Sequence, residues 1–120
     1  MAYEESLHNR TLEAEDGAAI AGYQYRYVRL AGEHMCGVTG TDPVVGVMQN
    51  HATRDNEAVT VAVGGTTMLV AGATLAAGDF VTAGADGRAV AAADEAGSHG
   101  IVIRGAPADS WAAVSLRNLM

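Results

Sequence analysis

The chain has 120 residues, a formal net charge of −7, seven arginines, no lysine and a single cysteine. This length allows one domain with at most a tail. The lack of lysine excludes Schiff-base chemistry, a phosphate-loop lysine and lipoyl or biotinyl attachment, while the acidic balance disfavours sequence-independent nucleic-acid binding.

Residues 1–19 are polar and charged, with apolar positions at Tyr3, Leu7 and Leu12. A weak helical spacing links Leu7 to Thr11 and Leu12, and Glu13 to Gly17 ends it. Two readings stay open: a frayed terminus, or an extended arm that orders on a partner. The run Tyr23 to Leu30 predicts the first strand, with Tyr23, Tyr25, Tyr27 and Arg29 on one face and Gln24, Arg26 and Val28 on the other. Its Tyr/Arg alternation could also stack on nucleic acid, but two-faced strands alternate by default. His34 to Cys36 fits a short strand, and Thr41-Asp42-Pro43 a turn. Strands are then expected at 44–48 and 57–63, a break at Gly64-Gly65, and a new strand at 66–70. Gly84 to Gly87 joins strands at 79–82 and 88–91 as a hairpin. The last strands fall at 100–104 and 111–117.

A segment occurs twice. Gly46-Val47-Met48, a polar loop and the alternating run Glu57 to Val63 form the first copy. Gly100-Ile101-Val102-Ile103, a loop from Arg104 to Ser110 and the run Trp111 to Leu116 form the second. Short strands with glycine-rich turns every 8–12 residues define an all-β class, a small β-barrel or sandwich-like module with an extended N-terminal arm. The arm is set at residues 1–20 and the β-rich domain at 21–120. Its core is expected to be thin, because Ala and Val dominate the apolar residues and there is one Phe and one Trp.

Candidate chemistry is sparse. His8, His34, Cys36, His51 and His99 are possible metal ligands, but only His34 and Cys36 are close in sequence, and a structural site needs two more. A lone thiol in an apolar strand reads as a core residue rather than a nucleophile. Asp79 and Asp86 sit beside glycines, where Asp usually accepts backbone amides. Trp111 reads as core filling, with an interface anchor as the alternative. No catalytic, cofactor-binding or metal residues are assigned. One cysteine permits no intrachain disulfide. No apolar run is long enough for a membrane span, and the acidic start Met1 to Glu5 does not fit a signal peptide, so synthesis in a cytoplasm is expected.

Gly46-Val47-Met48, Ala58-Val59-Thr60-Val61, Gly64-Gly65, Leu75 to Val81, Asp86-Gly87-Arg88 and Gly100 to Ala108 followed by Ala113 to Leu116 together resemble the small capsid decoration (cement) proteins of tailed bacteriophages. The resemblance covers roughly residues 44–117. Thr82-Ala83 stand where such proteins often carry an aromatic pair, and residues before 40 match poorly. The resemblance implies a virion structural protein on the capsid exterior that binds the major capsid protein, stabilises the shell across capsomer seams and acts as a homotrimer. It implies no enzyme activity, cofactor, nucleic acid or membrane. Tyr3, Leu7 and Leu12 are the expected capsid anchors of the arm, and Tyr23, Tyr25 and Tyr27 a possible interface. The alternatives are another virion part, such as a tail or head-fibre base, or a β-module accessory to an enzyme using His34, Cys36 and Asp79.

Overall fold

The computed structural model describes residues 5–32, 35–37, 44–84, 86–93 and 98–116. Tyr3, His34 and the Thr41-Asp42-Pro43 turn lie outside the described residues. Nine strands and one helical turn are present among them: β1 (Glu5–Ala14), α1 (Gly17–Ile20), β2 (Tyr27–Gly32), β3 (Met35–Gly37), β4 (Val44–Met48), β5 (Ala58–Val70), β6 (Phe80–Ala83), β7 (Ala89–Ala91), β8 (Gly100–Arg104) and β9 (Trp111–Leu116). The all-β expectation holds.

The strand pairings close two rings that share β5. In the first ring β1 pairs with β3, β3 with β2, β2 with β4, β4 with β5, and β5 again with β1. Only the β1–β3 pairing in it is parallel. In the second ring β5 pairs with β9, β9 with β8, β8 with β6 and β6 with β7, all antiparallel. A parallel bridge, Ala71 to Ala89, brings β7 back to the chain just past β5, and Gly72 N–H donates to the Ala89 carbonyl at 2.7 Å. Closing a sheet on itself removes exposed edges, the usual hazard of small β proteins.

There are two cores, one inside the first ring and one between the second ring and the outer faces of β2 and β4. Leu12, Ile20, Val28, Cys36, Val45, Met48, Val59, Val61 and Val63 fill the first, and Tyr27, Val47, Ala62, Leu69, Val81, Val102, Val114 and Leu116 belong to the second. All five residues of β4 are buried, because the strand has a core on either face. The fully buried side chains are mainly valines, so the core is built from small increments of apolar area, as composition implied.

Three local expectations change. Residues 5–14 form a strand rather than a weak helix. Backbone pairing with β5 over Asn9 to Glu13 overrides a poor helical pattern. The helix comes later, as one turn capped by Asp16, whose carboxylate accepts Ala18 N–H and Ala19 N–H. Second, Gly64-Gly65 does not break the strand. Val59, Val61 and Val63 face the first core, whereas Leu69 faces the second and lies at the same odd positions. The double glycine shifts the phase between the barrels, with Gly65 at φ +89°, as a glycine bulge does. Third, β2 begins at Tyr27, not Tyr23. Residues 23–26 form a turn in which Arg26 N–H donates to the Tyr23 carbonyl at 2.9 Å.

The duplicated segment is real in space. β4 pairs with β5 at Val61 and Ala62, β8 pairs with β9 over Gly100 to Arg104, and β9 lies along the later half of β5, Gly65 to Val70, beyond the first copy. The 84–87 hairpin also forms as expected, with Gly87 at φ +81°.

Candidate binding face

The outward wall of the second ring follows from strand register. Side chains directly opposite in an antiparallel pair share a face. Val70 pairs with Trp111, Met68 with Ala113, and Thr66 with Ser115. Across the next strand Ser115 pairs with Ile101 and Ala113 with Arg104, and beyond it Ile101 pairs with Phe80. On these strands Leu69, Val102, Ala112, Val114 and Leu116 point the other way, into the core. A register shift between Val102 and Arg104 inserts an extra residue, Ile103. Ile103 is 55% exposed and Trp111 54%, the large exposed hydrophobics among the described residues. Among the described residues, Arg104 is the one charged side chain that register places in this wall. By contrast, β1 in the first ring presents Asn9, Arg10, Thr11 and Glu13 to solvent.

Trp111 is not loosely held. Its ring meets Tyr25 edge to face, centroids 5.5 Å apart at 67°. Tyr25 sits at φ +63°, an uncommon conformation for a bulky residue. Two backbone hydrogen bonds fix it there: Tyr25 N–H donates to the Met48 carbonyl at 2.7 Å, and Val70 N–H donates to the Tyr25 carbonyl at 2.9 Å. Next to it the Arg26 guanidinium lies 5.2 Å over the Tyr23 ring, a cation–π contact.

The tyrosines therefore divide. Tyr23 and Tyr25 are half-buried in the turn, while Tyr27 is 2% exposed in the second core. Tyr27 packs edge-on to His99 at 5.8 Å, and its hydroxyl is buried with no hydrogen-bond partner. Burial raises the Tyr27 phenol pKa. Burial, then the nearby Arg29 charge, lowers that of His99. Leu12 is 5% exposed in the first core, so it is unavailable to a partner while β1 stays paired. Leu7 lies on the β1 backbone, its side chain outside the described set.

Among the described residues, the candidates for chemistry have separate local roles. Cys36 is fully buried in the first core, its thiol pushed up to about 11 by burial. The Asp79 carboxylate accepts Ala76 N–H at 2.9 Å in a turn, and Asp86 accepts Arg88 N–H at 3.2 Å. Arg88 also pairs with Asp86 and Asp109 through its side chain. His51 is exposed in the loop before β5. Among the described residues no group of three or more His, Cys, Asp or Glu comes together as a metal site.

Trp111 as core filling is a correction: it lies on the outside. The phase of its own strand carried the signal, because Trp111 alternates with Ala113 and Ser115, opposite Val114 and Leu116. Ile103, Met68 and Val70 were not anticipated, since which face of β5 and β8 points outward depends on the bulges.

No family model matches the chain, and no curated protein matches it in sequence. Among solved structures it is similar to the head fibre gp8.5 N base of bacteriophage phi29, with a TM-score of 0.67 over 94% of this chain and 96% of that one. Sequence identity is 17%, so the likeness is one of fold.

Proposed function

We propose that this chain is a structural component of a phage virion, attached to the outer surface of the mature capsid. The observation that carries the reading is a fold shared along nearly the whole of both chains with a phage head-fibre base. The resemblance of residues 44–117 to cement proteins supports the same placement. In this reading the protein is made in the host cytoplasm, docks on the major capsid protein as trimers and strengthens the seams between capsomers. Trimeric docking multiplies weak contacts through effective concentration. The task needs buried surface, not catalysis, a cofactor, nucleic acid or a membrane.

A second reading, the base of a head fibre, is favoured by the identity of that structural neighbour. Co-sedimentation with expanded and unexpanded capsid shells of the virus that encodes the chain tests both. Saturable binding to expanded shells supports the head-exterior placement, and no binding to either overturns it. Bound shells that resist heat or dilution better than bare ones favour a cement role. Bound shells of unchanged stability favour a fibre base.

In this reading the arm contact falls to Tyr3 and Leu7, because Leu12 is engaged in the first core, and the possible interface to Tyr23 and Tyr25, because Tyr27 is engaged in the second. Removing residues 1–19 would open the first ring, whereas removing 1–4 leaves β1 in place. Undiminished shell binding after the short deletion would take Tyr3 out of the contact.

A further inference from the structure

We infer that the outward wall of the second ring, centred on Trp111 and Ile103 with Arg104 beside them, is the face that docks on the capsid. The inference rests on the head-exterior placement and names the side of the molecule that meets the shell. The occupant is a foreign protein surface, apolar at its centre.

Two observations lead there, and charge and area then select the occupant. The two rings have unlike exteriors: β1 offers Asn9, Arg10, Thr11 and Glu13 to water, while the β5-β9-β8 wall offers exposed Ile103 and Trp111 beside partly exposed Met68 and Val70. An exposed Trp held in one orientation by Tyr25 is the kind of anchor that dominates binding energy, because little side-chain freedom is lost on docking.

Charge selects the partner. The chain carries −7 in total, so a second copy is repelled over most of its surface. Among the described residues, register places no carboxylate in this wall, and its centre is apolar.

Area argues the same way. Four strands spaced at about 4.8 Å and three rows of side chains cover roughly 300–350 Å². A stable pair of isolated proteins buries about 800 Å² on each side. The wall is too small to hold two free copies together. It is large enough as one of several contacts made at once on a lattice, where each docked module raises the effective concentration of the next.

The test is co-sedimentation of Trp111→Ala, Arg104→Glu and, as a control on the polar wall, Thr11→Ala with expanded shells. Sedimentation equilibrium of each free protein runs alongside. Trp111→Ala is expected to weaken binding by about tenfold or more. Arg104→Glu should also weaken it, while Thr11→Ala leaves it unchanged and all three retain the wild-type melting profile. Wild-type binding that survives both wall substitutions overturns this face and leaves the head placement standing. Wild-type self-association abolished by Trp111→Ala shows that a second copy occupies the wall and overturns the foreign partner. Absence of any wild-type binding overturns both.

Discussion

Gly46 and Gly100 occupy the same place in the two copies of the repeated hairpin, and the same neighbours crowd them. A β-carbon on Gly46 would lie 2.3 Å from the Ala62 carbonyl oxygen and 2.5 Å from Val61 Cγ1. One on Gly100 would lie 2.6 Å from Val114 Cγ1 and 3.0 Å from the Ser115 carbonyl oxygen. Val61 and Val114 correspond in the repeat, as do Ala62 and Ser115. Each glycine lets the first strand of its hairpin close on the second, so the duplication preserves a packing contact and not merely a pattern of letters.

Gly46→Ala is expected to destabilise the fold by about 1–3 kcal/mol or more, and Gly100→Ala by less. The clash at Gly46 is with backbone, which cannot move without disturbing β5. At Gly100 the nearest atom belongs to a side chain. Urea denaturation followed by far-UV circular dichroism gives the ranking, and an equal or reversed order would contradict it.

Tyr27→Phe is expected to leave stability unchanged or raise it by about 1 kcal/mol, because it deletes a buried hydroxyl that has no partner. Tyr27→Ala should cost about 3–5 kcal/mol, the range for emptying an aromatic site in a core. A Phe variant as damaged as the Ala variant would show that the hydroxyl is bonded in solution.

His99 predicts a pH dependence in the neutral range. Its folded pKa lies below the ordinary 6.5, through burial and then Arg29. The folded chain therefore binds fewer protons than the unfolded one, and stability rises with pH there. The contribution is fully present above about 6.5 and declines as pH falls through that value towards the folded pKa. Glu57, held low chiefly by the Thr53 backbone N–H it accepts, contributes only in the carboxylate range. Urea midpoints at pH 7.5 and 5.5 should differ for the wild type and converge for His99→Gln.

Cys36 should resist thiol reagents in the native state, being fully buried with its pKa pushed up to about 11. Ellman's reagent should label it only as fast as the first ring opens, and the rate should climb with urea. Rapid labelling in buffer would mean that β1 or β3 leaves the ring without denaturant.

Much of this fold was legible in the sequence because β4, β5, β8 and β9 repeat one alternating pattern, and 84–87 has the chemistry of a tight turn. The misreadings share a cause. β1 has few apolar residues, and its strand conformation comes from hydrogen bonds to β5 and β3, which no local pattern reports. Tyr23 to Arg26 has good strand formers, but contacts to Met48 and Val70 bend it at Tyr25. Gly64-Gly65 signals an interruption, yet a phase shift and a break look alike without the second core in view. The outward wall was hidden for the same reason: Trp111 reads as core until its strand is placed against Val70.

Because one strand serves both barrels, neither half of the molecule is an independent building block. β5 joins β1 near one end of the chain to β9 near the other. On a ribosome the second barrel has nothing to close on until residues 111–116 emerge, and β5 waits with its later half unpaired. Such distant pairings slow folding. The interval before closure is when the nascent chain is most exposed to pairing with the wrong neighbour. A protein needed in many copies at once would then owe its yield as much to the speed of translation of its last segment as to the stability of the finished fold.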